Sequence, residues 1–249
     1  MCAVVYDDLK GKKVIITGGS SGIGLECVKS FLNQGAIVFG QYNTNEKPLK
    51  DLSFSKNLHF GGFDLSTEEG CVKLVEDASK KLGKIDILVH SAGIWNDGPI
   101  MSISRETLEN IFKVNTFSSY YLVRECLKFM DKGSIIFVGS TAGERGEPFH
   151  SHYAGSKGAV QSFVYSIAQE LAPKIRVNVV SPGWVRTPMS EDTLKVKEAD
   201  IIKNIPLKRV AESEDVVNGI LFLASEASRH YTGVDLCCSG GALLPMPRG

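Results

Sequence analysis

Apolar residues along this chain fall into short runs, and the stretches between the runs repeat their apolar positions every three or four residues. The first run, Lys13-Val14-Ile15-Ile16-Thr17, is β-branched and has no polar alternation. That pattern predicts a strand buried on both faces, as in a parallel sheet. Further strands are expected at Ala36–Gln41, at His59–Asp64 with Asp64 just past the end, and at Ile85–His90, Ser134–Val138 and Ile175–Val180. Between them the spacing predicts helices. Ile23–Gln34 carries Leu25, Val28, Phe31 and Leu32 on one side. Thr67–Leu82 has Ser66 as its expected N-cap, followed by Glu68 and Glu69. A long helix is expected from a Ser104 cap through Phe129, and another carries Tyr153 and Lys157 on to Leu171. Pro48 and its polar neighbours predict only a short helix or an irregular link. Strands alternating with helices predict a single α/β domain over residues 1–249, a doubly wound parallel sheet with helices on both faces.

Composition narrows the function classes. Of 249 residues, 43% are hydrophobic and 22% charged, ordinary for a soluble globular protein. The 28 basic and 28 acidic residues cancel, which leaves no electrostatic footprint for nucleic acid. No apolar run reaches membrane-span length, and Met1–Lys13 has no apolar signal-peptide region. The six cysteines, Cys2, Cys27, Cys71, Cys126, Cys237 and Cys238, have no zinc-ligand spacing, and the adjacent pair is a poor disulfide candidate. They read as reduced thiols of a cytoplasmic protein, and no metal site is expected. No internal repeat is present.

Two stretches carry chemistry. Thr17-Gly18-Gly19-Ser20-Ser21-Gly22-Ile23-Gly24 joins the first strand to the first helix. Glycines let backbone approach a ligand, and the helix start offers free N–H groups and a positive dipole end, so this turn predicts a phosphate site. Tyr153-Ala154-Gly155-Ser156-Lys157 places a phenol and an ammonium one helical turn apart. A phenol has a reference pKa of about 10, and a nearby ammonium favours its ionised form. The pair is therefore a candidate acid/base, although the spacing alone is also that of a solvated helical pair. In parallel sheets ligands bind at the carboxyl ends of the strands, where Gly18, Gly93, Ser140 and Gly183 all fall. The glycine turn and the Tyr–Lys pair are expected to open onto one cleft.

With these motifs in this order, nearly the whole chain resembles the short-chain dehydrogenase/reductase (SDR) family. It is similar to its 3-oxoacyl-(acyl-carrier-protein) reductases and glucose 1-dehydrogenases. The cofactor loop of that family, T-G-x-x-x-G-x-G, matches Thr17–Gly24, and its Y-x-x-x-K matches Tyr153–Lys157. The family serine thirteen residues before the tyrosine matches Ser140, and the active-site asparagine matches Asn115 in Val114-Asn115-Thr116. Asp64 matches the adenine-contacting aspartate, Pro182-Gly183 the P-G segment, and Thr187 the threonine at the nicotinamide carboxamide. The usual N-N-A-G is His90-Ser91-Ala92-Gly93 here, which keeps the glycine and changes the side chains before it. In the late T-G-x-x-x-x-V-D-G-G element, Ser239 stands where an aspartate is usual.

The resemblance implies a Rossmann fold and an NAD(P)(H)-dependent oxidoreductase that interconverts a secondary alcohol and a ketone. Its catalytic residues would be Asn115, Ser140, Tyr153 and Lys157. Tyr153 would exchange the proton, Lys157 stabilise the phenolate and hold the nicotinamide ribose, Ser140 fix the substrate oxygen, and Asn115 hold a water leading to Lys157. The cofactor would meet Thr17, Gly18, Ser20, Ser21, Gly22, Ile23 and Gly24. It would also meet Tyr42, Asn43, Asp64, Leu65, Ser91, Ala92, Gly93, Tyr153, Lys157, Pro182, Gly183, Val185 and Thr187. Tyr42 stands where NAD-selective relatives carry an aspartate, and Ser21 and Asn43 where NADP-selective relatives carry arginine. Use of both NADP and NAD is expected, leaning to NADP. Residues 189–205 match the substrate lid. The expected substrate is a small carbonyl or alcohol: a 3-oxoacyl thioester, or alternatively a sugar or polyol. A catalytically silent cofactor-binding regulator is the alternative of another class, against which the presence of the tyrosine, the lysine and the glycines counts. Extended sugar-nucleotide epimerases carry a G-x-x-G-x-x-G loop that is absent here. A homotetramer is implied, pairing the helices of Ser104–Phe129 and Ser151–Leu171. Val160, Phe163, Val164 and Ile167 are the apolar residues expected to seek such cover. Trp95 and Trp184 follow strand ends, so packing and pocket lining both stay open, and His150 and His152 read as rim or surface residues.

Overall fold

Strand β1 (Lys13–Thr17) alternates its side chains between two separate cores. Val14 and Ile16 enter one core and Ile15 the other. This is why the run carries no polar position: each face of the sheet is covered by helices. The computed structural model describes residues 4–245, so Cys2 lies outside them. After β1 come α1 (Gly22–Asn33), β2 (Ile37–Tyr42), the short α2 (Lys47–Lys50), β3 (Leu58–Gly62), α3 (Glu68–Leu82) and β4 (Ile87–His90). Next are α4 (Arg105–Phe112), a π turn (Lys113–Phe117), α5 (Ser118–Cys126), β5 (Gly133–Val138), α6 (Thr141–Arg145), α7 (Ser151–Leu171) and β6 (Ile175–Pro182). The described chain ends with β7 (Val185–Arg186), α8 (Glu191–Lys203), β8 (Ala211–Glu212), α9 (Ser213–Ala224) and β9 (Asp235–Cys238).

Seven strands form one parallel sheet in the order β3-β2-β1-β4-β5-β6-β9. The chain reverses its direction of travel between β1 and β4, which leaves a crevice at their carboxyl ends. Leu74, Leu122, Val160 and Phe163 of α3, α5 and α7 cover one face. Val28 and Phe31 of α1 and Val216 and Ile220 of α9 cover the other. Each such apolar side chain contributes about 1.5–3 kcal/mol when fully buried. Among the described residues, no helix is long and apolar enough to cross a membrane. Nor does any group of three or more His, Cys, Asp or Glu among them have metal-binding proximity.

Several local expectations change. The N-cap of α3 is Thr67, not Ser66: the Thr67 hydroxyl accepts the Gly70 N–H. Ser104 does cap α4, accepting the Thr107 N–H, but the long helix is interrupted by the π turn around Asn115. Val160, Phe163, Val164 and Ile167 are buried within this single chain, against the sheet and α5, so they are not waiting for cover by another subunit. α9 and the edge strand β9 have no counterpart among the expected elements.

Candidate active site

The glycine turn is built as a cradle. Gly18 and Gly22 have φ of +65° and +48°, a region L side chains rarely adopt. A Cβ at Gly24 would stand 2.1 Å from the Gly18 carbonyl oxygen, and one at Gly22 would stand 3.1 Å from the Thr187 methyl. Backbone therefore packs where side chains cannot. Ser21 caps α1 without using its hydroxyl inside the helix, so that hydroxyl and the first N–H groups of α1 face outward for an anion. The loop is braced from below by Gln41, a buried residue not singled out from sequence. Its amide oxygen accepts the Gly18 N–H at 2.9 Å and its NH2 donates to the Phe63 carbonyl at 2.7 Å. Its polar atoms within an apolar strand were the available signal.

Thr17 is placed differently from its expected contact with cofactor. It is fully buried, and its hydroxyl accepts the N–H groups of Ser91 and Ala92, both at 3.1 Å. It holds the next segment of the cradle rather than a ligand. A Cβ at Gly93 would meet Asn115 Oδ1 and Lys157 Nζ, each at 3.3 Å, so this glycine is what opens the space beside them.

Ser140, Tyr153 and Lys157 line one cleft together with Ile23, Ser91, Gly93, Pro182, Gly183, Val185 and Thr187. Asn115 lies behind that lining, 2% exposed. Its amide accepts the Ile94 N–H at 2.8 Å and donates to Ile94 O and to Ser156 Oγ, both at 3.0 Å. Ser140 caps α6 by accepting the Ala142 N–H at 3.1 Å, which leaves its own proton free. Burial pushes the Tyr153 phenol up to about 12, with the Ser140 hydroxyl opposing and the Glu147 carboxylate adding to the rise. The expected depression by Lys157 is not present. The Lys157 ammonium lies 5.9 Å from the Tyr153 ring centre and donates to the Val138 carbonyl at 2.9 Å. Burial holds Lys157 down to about 8.

Both tryptophans of the chain line the cleft, 6.2 Å apart and edge to face at 81°. His150 stacks on Trp95 at 4.6 Å and bonds Asp97 at 3.2 Å, a rim position as expected. His152 is neither rim nor surface: it is buried, with Nε2 3.0 Å from Asn96 Oδ1. Arg145, Glu147 and Met189 complete the polar and outer lining.

The far end of the sheet is more open. Asn43 and Asp64 are exposed, and Tyr42 is half-buried with its hydroxyl 3.4 Å from Glu46. Asp64 accepts the Ser66 N–H at 2.9 Å. The Leu65 side chain is in the core, so only its backbone faces a ligand. Ser20, Ser21, Gly22 and Gly24 stand between this end and the catalytic cleft, on the turn into α1.

A family model described as enoyl-(acyl carrier protein) reductase matches residues 18–242. The chain is 34% identical over 242 residues to the 3-oxoacyl-(acyl-carrier-protein) reductase FabG of Haemophilus influenzae, covering 95% of this chain and 100% of that protein. It is 37% identical over 242 residues to the FabG of Chlamydia pneumoniae, with 94% and 97% covered. Among solved structures, a short-chain dehydrogenase/reductase titled glucose/ribitol dehydrogenase from Brucella melitensis superimposes with a TM-score of 0.92 at 29% identity. That match covers 97% of this chain and 100% of the other. The aldohexose dehydrogenase of Thermoplasma acidophilum superimposes with a TM-score of 0.90 at 26% identity, with 98% of each chain covered.

Proposed function

Because this chain belongs to the short-chain dehydrogenase/reductase family and is an NAD(P)-dependent oxidoreductase of secondary alcohols and ketones, we propose that it reduces a 3-oxoacyl thioester. The convergence of Ser140, Tyr153 and Lys157 on a cleft that also receives Gly93 and Thr187 supports the oxidoreductase chemistry, and the similarity to the two FabG reductases carries the thioester reading. A nicotinamide bound in this cleft would supply or take the hydride. Ser140, whose proton is free, donates to the carbonyl oxygen and fixes its position. Tyr153, protonated at neutral pH, gives its proton to that oxygen as it becomes an alcohol. Lys157 faces the developing phenolate as a cation and would hold the nicotinamide ribose. Asn115 fixes Ile94 and Ser156 beside Lys157 and keeps the path along which the proton is resupplied. The glycine turn and the start of α1 would receive the pyrophosphate, and residues 189–205 would cover the substrate.

A second reading, a sugar or polyol dehydrogenase, is favoured by the two perpendicular indoles with Arg145 and Glu147 in the same cleft. Aromatic faces take the C–H side of a ring, and charged groups take its hydroxyls. A panel of 3-oxoacyl thioesters, aldoses and polyols, read by nicotinamide absorbance with both cofactors and in both directions, separates the two. Turnover of thioesters alone is expected. Turnover of sugars alone selects the second reading, and tight cofactor binding with no turnover selects a silent regulator.

The cofactor preference is proposed as dual with a lean to NADP(H), of about tenfold or less, since only neutral hydrogen bonds of about 0.5–1.5 kcal/mol are on offer. Tyr42, Asn43 and Thr44 face the ribose end without a carboxylate, and the Glu46 carboxylate is engaged by Lys50 at 3.4 Å. A homotetramer is proposed on the exposed Leu108, Phe117, Tyr120 and Tyr165 of α4, the π turn, α5 and α7. A monomeric mass by light scattering at micromolar concentration would contradict it. The five free thiols among the described residues support a cytoplasmic location.

A further inference from the structure

His90 ends β4 between Thr17 and Phe137 of the neighbouring strands, and it is 3% exposed. Both ring nitrogens are bonded to hydroxyls: Nδ1 lies 2.7 Å from Thr17 Oγ1, and Nε2 lies 2.9 Å from Ser118 Oγ. The partners decide where the proton is. Thr17 Oγ1 already accepts two backbone N–H groups, so its own proton goes to Nδ1. The Ser118 hydroxyl donates to the Val114 carbonyl at 2.6 Å, so its oxygen accepts Nε2–H. The ring is therefore neutral, with its proton on Nε2. Burial, with the Lys157 charge adding to it, holds the imidazole near a pKa of about 3, so it stays neutral across the physiological range.

The ring joins the two halves of the site. On one side Thr17 holds the amides of Ser91 and Ala92, which lead into Gly93. On the other, Val114 precedes Asn115 in the π turn, and Asn115 is tied to Ile94 and to Ser156. We propose that His90 is a positioning residue that holds the π turn, and with it Asn115, in register with the Ser91–Gly93 end of β4. A neutral imidazole suits the task because it offers one acceptor and one donor on a rigid ring, pointing to different elements. An aliphatic residue would leave two hydroxyls without their bridge. A charged one would set a second cation in the buried surroundings of Lys157. The consequence for turnover rests on the roles proposed above for Asn115 and Lys157; the hydrogen-bond assignment does not.

Three variants test this. His90→Phe keeps the ring's bulk and its edge-on contact with Phe137, 5.7 Å between centres at 83°, and loses both hydrogen bonds. His90→Gln keeps one donor and one acceptor, and Ser118→Ala cuts only the far bond. Nitrogen-15 NMR of the imidazole in the intact protein is expected to give the neutral Nε2–H form from about pH 5 to about pH 8. In Ser118→Ala the Nε2–H form is expected to persist, because Thr17 still donates to Nδ1. In His90→Phe, kcat is expected to fall about tenfold, the scale of two lost neutral hydrogen bonds, with a displaced pH profile. Substrate KM should change much less, and so should the cofactor Kd read from quenching of the two cleft tryptophans. His90→Gln should recover most of the loss. A charged or Nδ1–H ring in the unmodified protein overturns the proposal. So does a Phe variant with unaltered kcat and pH profile, or a Gln variant no better than Phe. If His90→Phe does not fold, Ser118→Ala decides by the same pH profile. If the unmodified protein turns nothing over, the oxidoreductase reading fails, and the tautomer alone decides the register.

Discussion

The two ends of the cleft are held in opposite ways. At the catalytic end Asn115, Ser140 and Lys157 are each no more than 8% exposed, and hydrogen bonds to backbone, with one from Asn115 to Ser156, fix them. At the ribose end Asn43, Thr44 and Asp64 are exposed, and Tyr42 is half-buried with one long contact to Glu46. A buried group is worth more per contact because water does not compete, and it costs more when its charge is unpaired. In the proposed function the chemistry is thus set where side chains are buried, and cofactor identity where they are exposed. Changes at the first end should move rates by orders of magnitude. Changes at the second should move preferences by about tenfold.

The largest break in that contrast is Lys157→Met. Turnover is expected to fall by about 10²–10⁴, the range of a lost acid/base contribution. Cofactor affinity is expected to fall about tenfold to a hundredfold as a charge-assisted ribose contact of about 1.5–3 kcal/mol goes. Isothermal titration and steady-state kinetics check the two losses, and unchanged affinity would remove the ribose role. The same variant should be more stable without cofactor. Burial lowers the Lys157 pKa from its ordinary 10.5 to about 8, so the folded chain holds that proton less well than the unfolded one. The penalty is full below about pH 8 and fades as pH rises towards the unfolded value. It amounts to about 3 kcal/mol by the conversion of about 1.4 kcal/mol per pKa unit. Thermal melts of both forms between pH 7 and pH 10 should converge as pH rises. A constant or widening gap would contradict the buried-cation account.

Whether such contrasts are legible in the chain depends on how local their cause is. The β1 run, the glycine turn and the Tyr153–Lys157 spacing each state their geometry within a few residues, and the first strand and the turn lie as expected. β9 does not: Asp235-Leu236-Cys237-Cys238 is a partly exposed edge with no apolar run, and only pairing with β6 makes it a strand. The π turn at Asn115 has no sequence signature and appears as a break in an otherwise helical pattern. Gln41 and His90 act through partners in other strands and helices, far away in sequence, which no local pattern reveals. Tyr153 sits above the ordinary phenol value because of its burial, which the helical spacing to Lys157 does not reveal.

At the exposed end a smaller change sharpens the comparison. Tyr42→Asp places a carboxylate where it faces a 2′-phosphate across solvent, worth about 1 kcal/mol at contact distance. The NADP(H) to NAD(H) preference should shift about tenfold towards NAD(H), carried by KM more than by kcat. A shift of a thousandfold would place a buried charged contact at this end and erase the contrast.

The central claim is that Tyr153 delivers the proton from a site whose cofactor cradle is separately built. Tyr153→Phe keeps the ring and removes only the hydroxyl. Its turnover and its cofactor Kd, measured side by side with NADPH and with NADH, test that claim most directly. Turnover lost by about 10²–10⁴ with either cofactor, at Kd values within about threefold of the unmodified protein, is the predicted result. Retained turnover with either cofactor would contradict it.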